Sequence, residues 1–226
     1  MQGKIRRKAV TDPASVRTGK TKAQRVFLDL RARILGSEIA PESRLTLRPL
    51  AKQYGTGLNA VSEAVKALAA EGLVELEGQA GARVIARDLE RIQGEYILRI
   101  ALECETARRC AETADDSRLC LLEGMAAKVD RLFEEGIQLA ECRQADIQFH
   151  LTIAGFSGVP QLKTALIPLL ERLVALDQTE TRTLEIPGQK HLEVYEGLKS
   201  RDPVQAATIM RRHLEHSMNL SLALMY

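Results

Sequence analysis

Asp146 and His150 stand four residues apart in Ala-Asp-Ile-Gln-Phe-His-Leu, and two more histidines, His191 and His213, follow downstream. Residues four apart on a helix lie one turn above each other, so a carboxylate and an imidazole at this spacing reach one ion. The chain holds only four histidines, the last being His216. Three imidazoles and a carboxylate suit a divalent transition metal, Zn²⁺ foremost, with Ni²⁺, Mn²⁺ and Fe²⁺ served by the same donors. Spacing alone leaves a second reading open, because isolated histidines on amphipathic helices commonly sit in cores or on surfaces.

The elements that position these donors are helices. Residues 89–226 carry no strand signal, and apolar periodicity places helices over 89–114, 117–140, 141–156, 160–178, 188–200 and 203–224. Breaks fall at Asp115-Asp116, between Gly155 and Pro160, over 179–187, and at Arg201-Asp-Pro203. About six helices of this length make an antiparallel bundle, whose interior can hold a metal or a ligand.

The preceding residues read differently. A helix over 23–35 places Val26, Leu28, Leu30, Ile34 and Leu35 along one stripe and stops at Gly36. Pro41-Glu-Ser-Arg-Leu45 turns into a short helix over 47–54, Gly55-Thr-Gly57 breaks it, and a second helix over 58–71 buries Val61, Ala64, Val65 and Leu68. Past Gly72, residues 73–77 and 82–86 alternate like strands around Gly78-Gln-Ala-Gly81. Helix, short helix, glycine turn, helix and hairpin is the order of a winged helix-turn-helix, whose second helix enters a major groove. The fold expected is therefore mainly α, a winged helix-turn-helix followed by an all-α antiparallel bundle.

Charge divides along the same line. Residues 1–88 carry 16 Lys/Arg against 9 Asp/Glu, and residues 89–226 carry 16 against 21, so a net charge of +2 conceals +7 and −5. The positive half is the one suited to a polyanion. Residues 1–22 hold seven basic side chains and one acid without apolar periodicity, as a flexible basic arm does. The domains expected are this arm, a DNA-binding unit over 23–88 and a metal- and effector-binding unit over 89–226. No apolar run approaches the roughly 18 residues that span a bilayer, and the first residues lack a secretory apolar stretch. A cytoplasmic protein with reduced, mostly buried Cys104, Cys110, Cys120 and Cys142 is the expectation.

The run Leu50-Ala-Lys-Gln-Tyr-Gly-Thr-Gly-Leu-Asn-Ala-Val-Ser-Glu-Ala-Val-Lys-Ala-Leu-Ala-Ala-Glu-Gly-Leu-Val74, with Ile34-Leu-Gly36, Pro41 and Leu45 upstream, resembles the GntR family of bacterial transcription regulators. The resemblance implies that Arg48 and the Asn59/Ser62 edge meet DNA, with Gly81 at the wing tip. Leu58 and Ser62 stand where that family commonly has arginines. Arginine gives a bidentate fork to guanine, each good base pair contributing about 1–3 kcal/mol of discrimination, and leucine gives none. Either the operator differs from the family's common one, or Lys66 and the arm supply the affinity, with help from Arg83 on the wing.

The layout Asp146-x3-His150, His191, His213, with Ser157-Gly158, Asp202-Pro-Val-Gln-Ala206 and Met210-Arg-Arg-His213 around it, is similar to the FCD ligand-binding domain of the FadR branch. That resemblance implies metal ligation by Asp146, His150, His191 and His213. It also implies an effector contact by Arg99 in Tyr96-Ile-Leu-Arg99-Ile-Ala-Leu-Glu103, and a homodimer. Arg99 and Glu103 alternatively form a plain surface i,i+4 pair. His216 matches nothing in the pattern and reads as a solvated residue. Val159 replaces the asparagine usual after Ser-Gly.

The function expected is a non-enzymatic, DNA-binding regulator whose operator affinity responds to a small carboxylate bound near the metal. Two alternatives are a metal-free regulator taking a larger apolar acyl ligand and a metal-dependent hydrolytic enzyme. The second lacks an HExxH helix and a carboxylate singled out as a general base.

Overall fold

The computed structural model describes residues 20–78, 81–86, 88–136, 139–176 and 190–223. The elements run α1 (Lys22–Leu35), β1 (Arg44–Thr46), α2 (Leu47–Gln53), α3 (Leu58–Ala70), β2 (Val74–Glu77) and β3 (Gly81–Val84). There follow α4 (Leu89–Thr113), α5 (Asp116–Glu134), α6 (Leu139–Phe156), α7 (Pro160–Leu176), α8 (His191–Lys199) and α9 (Pro203–Ala223). The mainly α architecture, winged helix-turn-helix first and helical bundle second, is the one expected.

Helix α1 starts on a capping box: Thr21 Oγ1 accepts from the Gln24 amide at 3.1 Å, and Gln24 returns the bond to the Thr21 amide at 2.8 Å. Val26, Leu30 and Ile34 are buried at a spacing of four against α3, whose Val61, Ala64, Val65 and Leu68 face them. Leu28 lies off that stripe and is 40 % exposed. Its position two residues from both Val26 and Leu30 turns it about 160–200° away on a helix.

The expected turn over residues 41–45 contains a strand that the sequence hides. β1 is only three residues long, too short to display alternation, and only Leu45 of it is buried. It pairs antiparallel with β3, which also pairs with β2, giving sheet order β1-β3-β2. Gly81 opens the central strand at φ 149°, and a Cβ there would stand 2.0 Å from the Leu45 carbonyl oxygen. Only a residue without a side chain lets the strands pass so closely.

In the bundle, the helix expected over 117–140 ends earlier. α5 stops at Glu134, and Gly136 takes the left-handed conformation (φ 64°) that ends helices, so α6 begins at Leu139. The break expected over 179–187 and the arm through residue 19 lie outside the described residues. The bundle core gathers Ala107, Leu122, Phe149, Ile153, Leu198, Met210 and Leu214, with α4 packed along α9. Of the four cysteines, Cys110 and Cys142 are buried, Cys104 is half-buried and Cys120 is exposed, and none is in a disulfide. No helix of the described residues is long and apolar enough to cross a membrane.

One helix joins the two units. α7 sends Ala175 into the winged-helix core, and its Glu171 pairs with Arg31 of α1. Arg172 holds Glu95 of α4 through two bonds of 2.7 and 2.9 Å and donates to the Glu71 carbonyl at 3.4 Å. Arg31 bonds the Glu71 carboxylate at 2.8 Å, closing the cluster.

The close passage at Gly81 yields a direct test. Gly81→Ala should destabilise the protein by about 2 kcal/mol or more, lowering the melting temperature by roughly 4–8 °C in a chain of this size. An unchanged melting temperature would show that β1 does not hold this register.

Candidate metal centre

Three helices bring the four donors together. Helix α6 presents Asp146 and His150 one turn apart, beside the fully buried Phe149 and Ile153 that anchor this face in the core. His191 is the first residue of α8, and His213 lies on the buried face of α9 next to Met210 and Leu214. His150, His191 and His213 are buried and Asp146 is half-buried.

The donor atoms of these four residues all lie within 4.8 Å of one another. His191 Nε2 is 2.8 Å from Asp146 Oδ1, and His150 Nε2 is 3.5 Å from the same oxygen. Donors sharing one ion at about 2.1 Å stand at most about 4.2 Å apart, so little movement separates this cluster from coordination. His150 Nε2 has no hydrogen-bond partner although it is fully enclosed. A buried polar atom left this way is costly, and a metal ion supplies what is missing.

The far sides of two imidazoles are held by carboxylates. His191 Nδ1 meets Asp130 Oδ1 of α5 at 2.8 Å, and His150 Nδ1 is in ion-pair contact with Glu103 Oε2 of α4. Asp130 also accepts from the His191 and Leu192 amides at 2.9 and 3.1 Å, capping α8 from another helix. Carboxylates behind ligating histidines fix tautomer and ring orientation and raise donor strength. This arrangement fits a divalent transition ion.

Electrostatics follow from the burial. Burial works against the charged form of His150, but the Glu103 and Asp146 charges outweigh it and raise its pKa to about 9. His191 is raised too, its bonds to Asp130 and Asp146 overcoming burial. His213 is held well below the ordinary imidazole value by burial and by the positive charges of His191 and His150. Burial favours a neutral Asp146, yet the neighbouring His150 and His191 hold it well below the usual carboxylate range.

Arg99 is buried on α4 rather than on a surface, and its Nε donates to Glu103 Oε1 at 2.5 Å. It lies on the wall of a cavity of about 100 Å³ beside the cluster, with Arg143 and Asp146 at the same polar end. The other walls are Ile92, Ile147, Leu170, Leu173, Val174 and Leu176, with Tyr96 and Ser221 between them.

The contacts of Glu103 and Asp130 with the two imidazoles are ones that the sequence reading missed. Each interrupts an apolar stripe: Glu103 between Ile100 and Ala107 on α4, and Asp130 beside Ala126 and Val129 on α5. A lone carboxylate on a buried face is the signal that was available. His216 corrects the opposite error. It lies about one turn beyond His213 along α9, is half-buried, and its Nε2 is enclosed without a partner.

On the winged-helix unit, Asn59 and Lys66 are exposed and Ser62 half-exposed along one face of α3, opposite its buried stripe. Arg48 is exposed on α2, and Leu58 opens α3 at 47 % exposure. Gly81 is buried within the sheet, so the DNA contact expected there is replaced by a packing role. Arg83, expected to help from the wing, is tied to Glu77 at 2.7 Å.

Comparison with known proteins places these two units. Residues 22–84 match the family model described as bacterial regulatory proteins, gntR family, and residues 96–216 match the FCD domain. The chain is 25 % identical to an uncharacterized HTH-type transcriptional regulator BphR of Paraburkholderia xenovorans, over 94 % of this chain and 90 % of that one. It is 24 % identical to the HTH-type transcriptional repressor RspR of Escherichia coli, over 85 % of each. Among solved structures, E. coli McbR/YncC superposes with a TM-score of 0.69 at 17 % identity, covering 91 % of this chain and 99 % of that one, a likeness of fold. These relatives are transcription regulators and not enzymes. With a gntR-type DNA-binding unit in front and an FCD effector domain behind it, the chain belongs to the GntR family of bacterial transcription regulators.

Proposed function

We infer that this regulator binds its operator through Arg48, Asn59, Ser62 and Lys66, and that a small carboxylate held beside a metal on Asp146, His150, His191 and His213 alters that binding. The observation that carries the reading is the placement of α7. One side of it lines the cavity next to the metal cluster through Leu170, Leu173 and Val174, and the other holds the winged helix through Glu171, Arg172 and Ala175. A ligand can shift an equilibrium only through contacts that differ between two states, and α7 touches both the cavity and the winged-helix unit.

Zn²⁺ is the ion favoured by three imidazoles and a carboxylate, although the donors alone do not exclude Ni²⁺, Mn²⁺ or Fe²⁺. When bound, the ion supplies a Lewis-acid anchor for carboxylate oxygens. Arg99 stays charged beside it: burial opposes the charge, and Glu103 and Asp146 more than restore it. A guanidinium at the polar end of the cavity is the natural partner of a carboxylate. We assign the protein to the cytoplasm, where its operator lies, and to a homodimer, since helix-turn-helix proteins commonly read paired half-sites as dimers.

Four outcomes test this reading. Metal binding must strip protons from His150 and His191, so zinc affinity should climb as pH rises towards about 9 and then level. Competition titrations against a chelator measure it, and a pH-independent affinity would remove the histidines from the site. In the same assay Asp130→Asn should weaken zinc binding by about 10–100-fold while helix content is retained. With an operator recovered by selection from genomic fragments, Arg48→Ala should lower affinity roughly tenfold. Arg172→Ala should keep operator and zinc binding but lose the change in operator affinity that a stabilising carboxylate produces. A full response in Arg172→Ala would take α7 out of the coupling.

A further inference from the structure

The chemistry of the cavity walls specifies more than a carboxylate. Its charged lining groups are Arg99, Arg143 and Asp146, the last a member of the metal cluster, and six aliphatic side chains form most of the rest. The two neutral polar groups in the lining are engaged with each other, Tyr96 Oη lying 2.9 Å from Ser221 Oγ. A ligand hydroxyl placed against the remaining wall would lose water and gain no partner.

Size narrows the class further. An engineered apolar cavity of about 150 Å³ holds benzene, and the space here is about 100 Å³. Scaled to that volume, the enclosed part of the pocket takes a hydrocarbon body of about four carbon atoms, its other side opening to solvent. Leu170 and Leu176 are almost fully buried and Leu173 half-buried, so the wall is set by core packing.

We propose that the cavity selects a compact branched-chain aliphatic carboxylate over polyhydroxy acids and over shorter acids. This rests on the metal-anchored carboxylate reading and adds the recognition of the body. The carboxylate lies at the Arg99 end beside the metal, and the branched chain lies on the aliphatic face of α7 between Leu170 and Leu176. Each buried methylene contributes about fourfold in affinity. A sugar acid of equal length loses that gain and leaves its hydroxyls unpaired. The α7 residues that recognise the body are direct neighbours of those that hold the winged helix, so the size of the body is read where the two units join.

The test is calorimetric titration of the zinc-loaded protein, and of the chelated protein, with acetate, 3-methylbutanoate and 2,3,4-trihydroxybutanoate. The expected result is zinc-dependent binding in which 3-methylbutanoate exceeds both other acids by at least about tenfold. Leu173→Asn should shrink that advantage to less than about threefold with zinc content unchanged. Leu173→Ala, which enlarges the space without adding a polar group, should move the preference towards 4-methylpentanoate. Zinc-dependent binding of all three acids with similar affinity overturns the selection of an apolar body and leaves the metal anchor standing. A preference for the trihydroxy acid overturns it as well. Binding that survives chelation unchanged, or no binding by any of the acids, overturns the metal-anchored reading and this proposal together.

Discussion

A buried line of alternating charge holds the bundle to its function. It runs Arg99, Glu103, His150, Asp146, His191, Asp130, positive and negative in turn, and passes from α4 through α6 and α8 to α5. Unpaired, any one of these charges would be expensive in the interior. Together they offset one another, and a divalent ion taking the place of two imidazolium protons would leave the total unchanged, so the proposed metal would add no buried charge. His213, held neutral by its positive neighbours, stands ready as a donor in either state.

The second constraint is that α7 belongs to two cores at once. Its Leu176 packs with Ile85, Ile92 and Tyr96 at the junction, Ala175 enters the winged-helix core, and Leu166, Leu169 and Leu170 pack among bundle side chains. Gly72 makes the contact possible, since a Cβ there would stand 2.9 Å from Arg172 Cδ. Packed interiors pass on displacement instead of absorbing it. The ion pairs of Arg31 and Arg172 give the junction a preferred geometry as well as adhesion.

Much of this was legible in the sequence, and the residues show why. Long amphipathic helices declare themselves through periodicity, and the donors Asp146 and His150 through spacing. The structure brings those two together with His191 and His213, which sit on separate helices and which no local pattern could join. β1 escaped because three residues carry no period, and the end of α5 because the residues after Gly136 continue an apolar pattern. Glu103 and Asp130 escaped because a carboxylate in a helix reads as solvent-facing unless its apolar neighbours are counted. Gly81 was read as a loop-tip contact when the need it meets is a close strand crossing.

The DNA-reading surface shows what changing a family's arginines does to the physics. With Arg83 bonded to Glu77, and Arg44 also 3.3 Å from that carboxylate, Arg48 and Lys66 are the principal cations of this surface without a nearby acid partner among the residues considered for DNA contact. Leu58, exposed at the first turn of α3, offers a groove only apolar contact, which a thymine methyl can satisfy and a guanine edge cannot. Phosphate contacts position a protein, and base contacts choose its sequence. With leucine in place of an arginine at the start of α3, base reading would shift from hydrogen bonds at guanine towards methyl contacts and the shape of the groove.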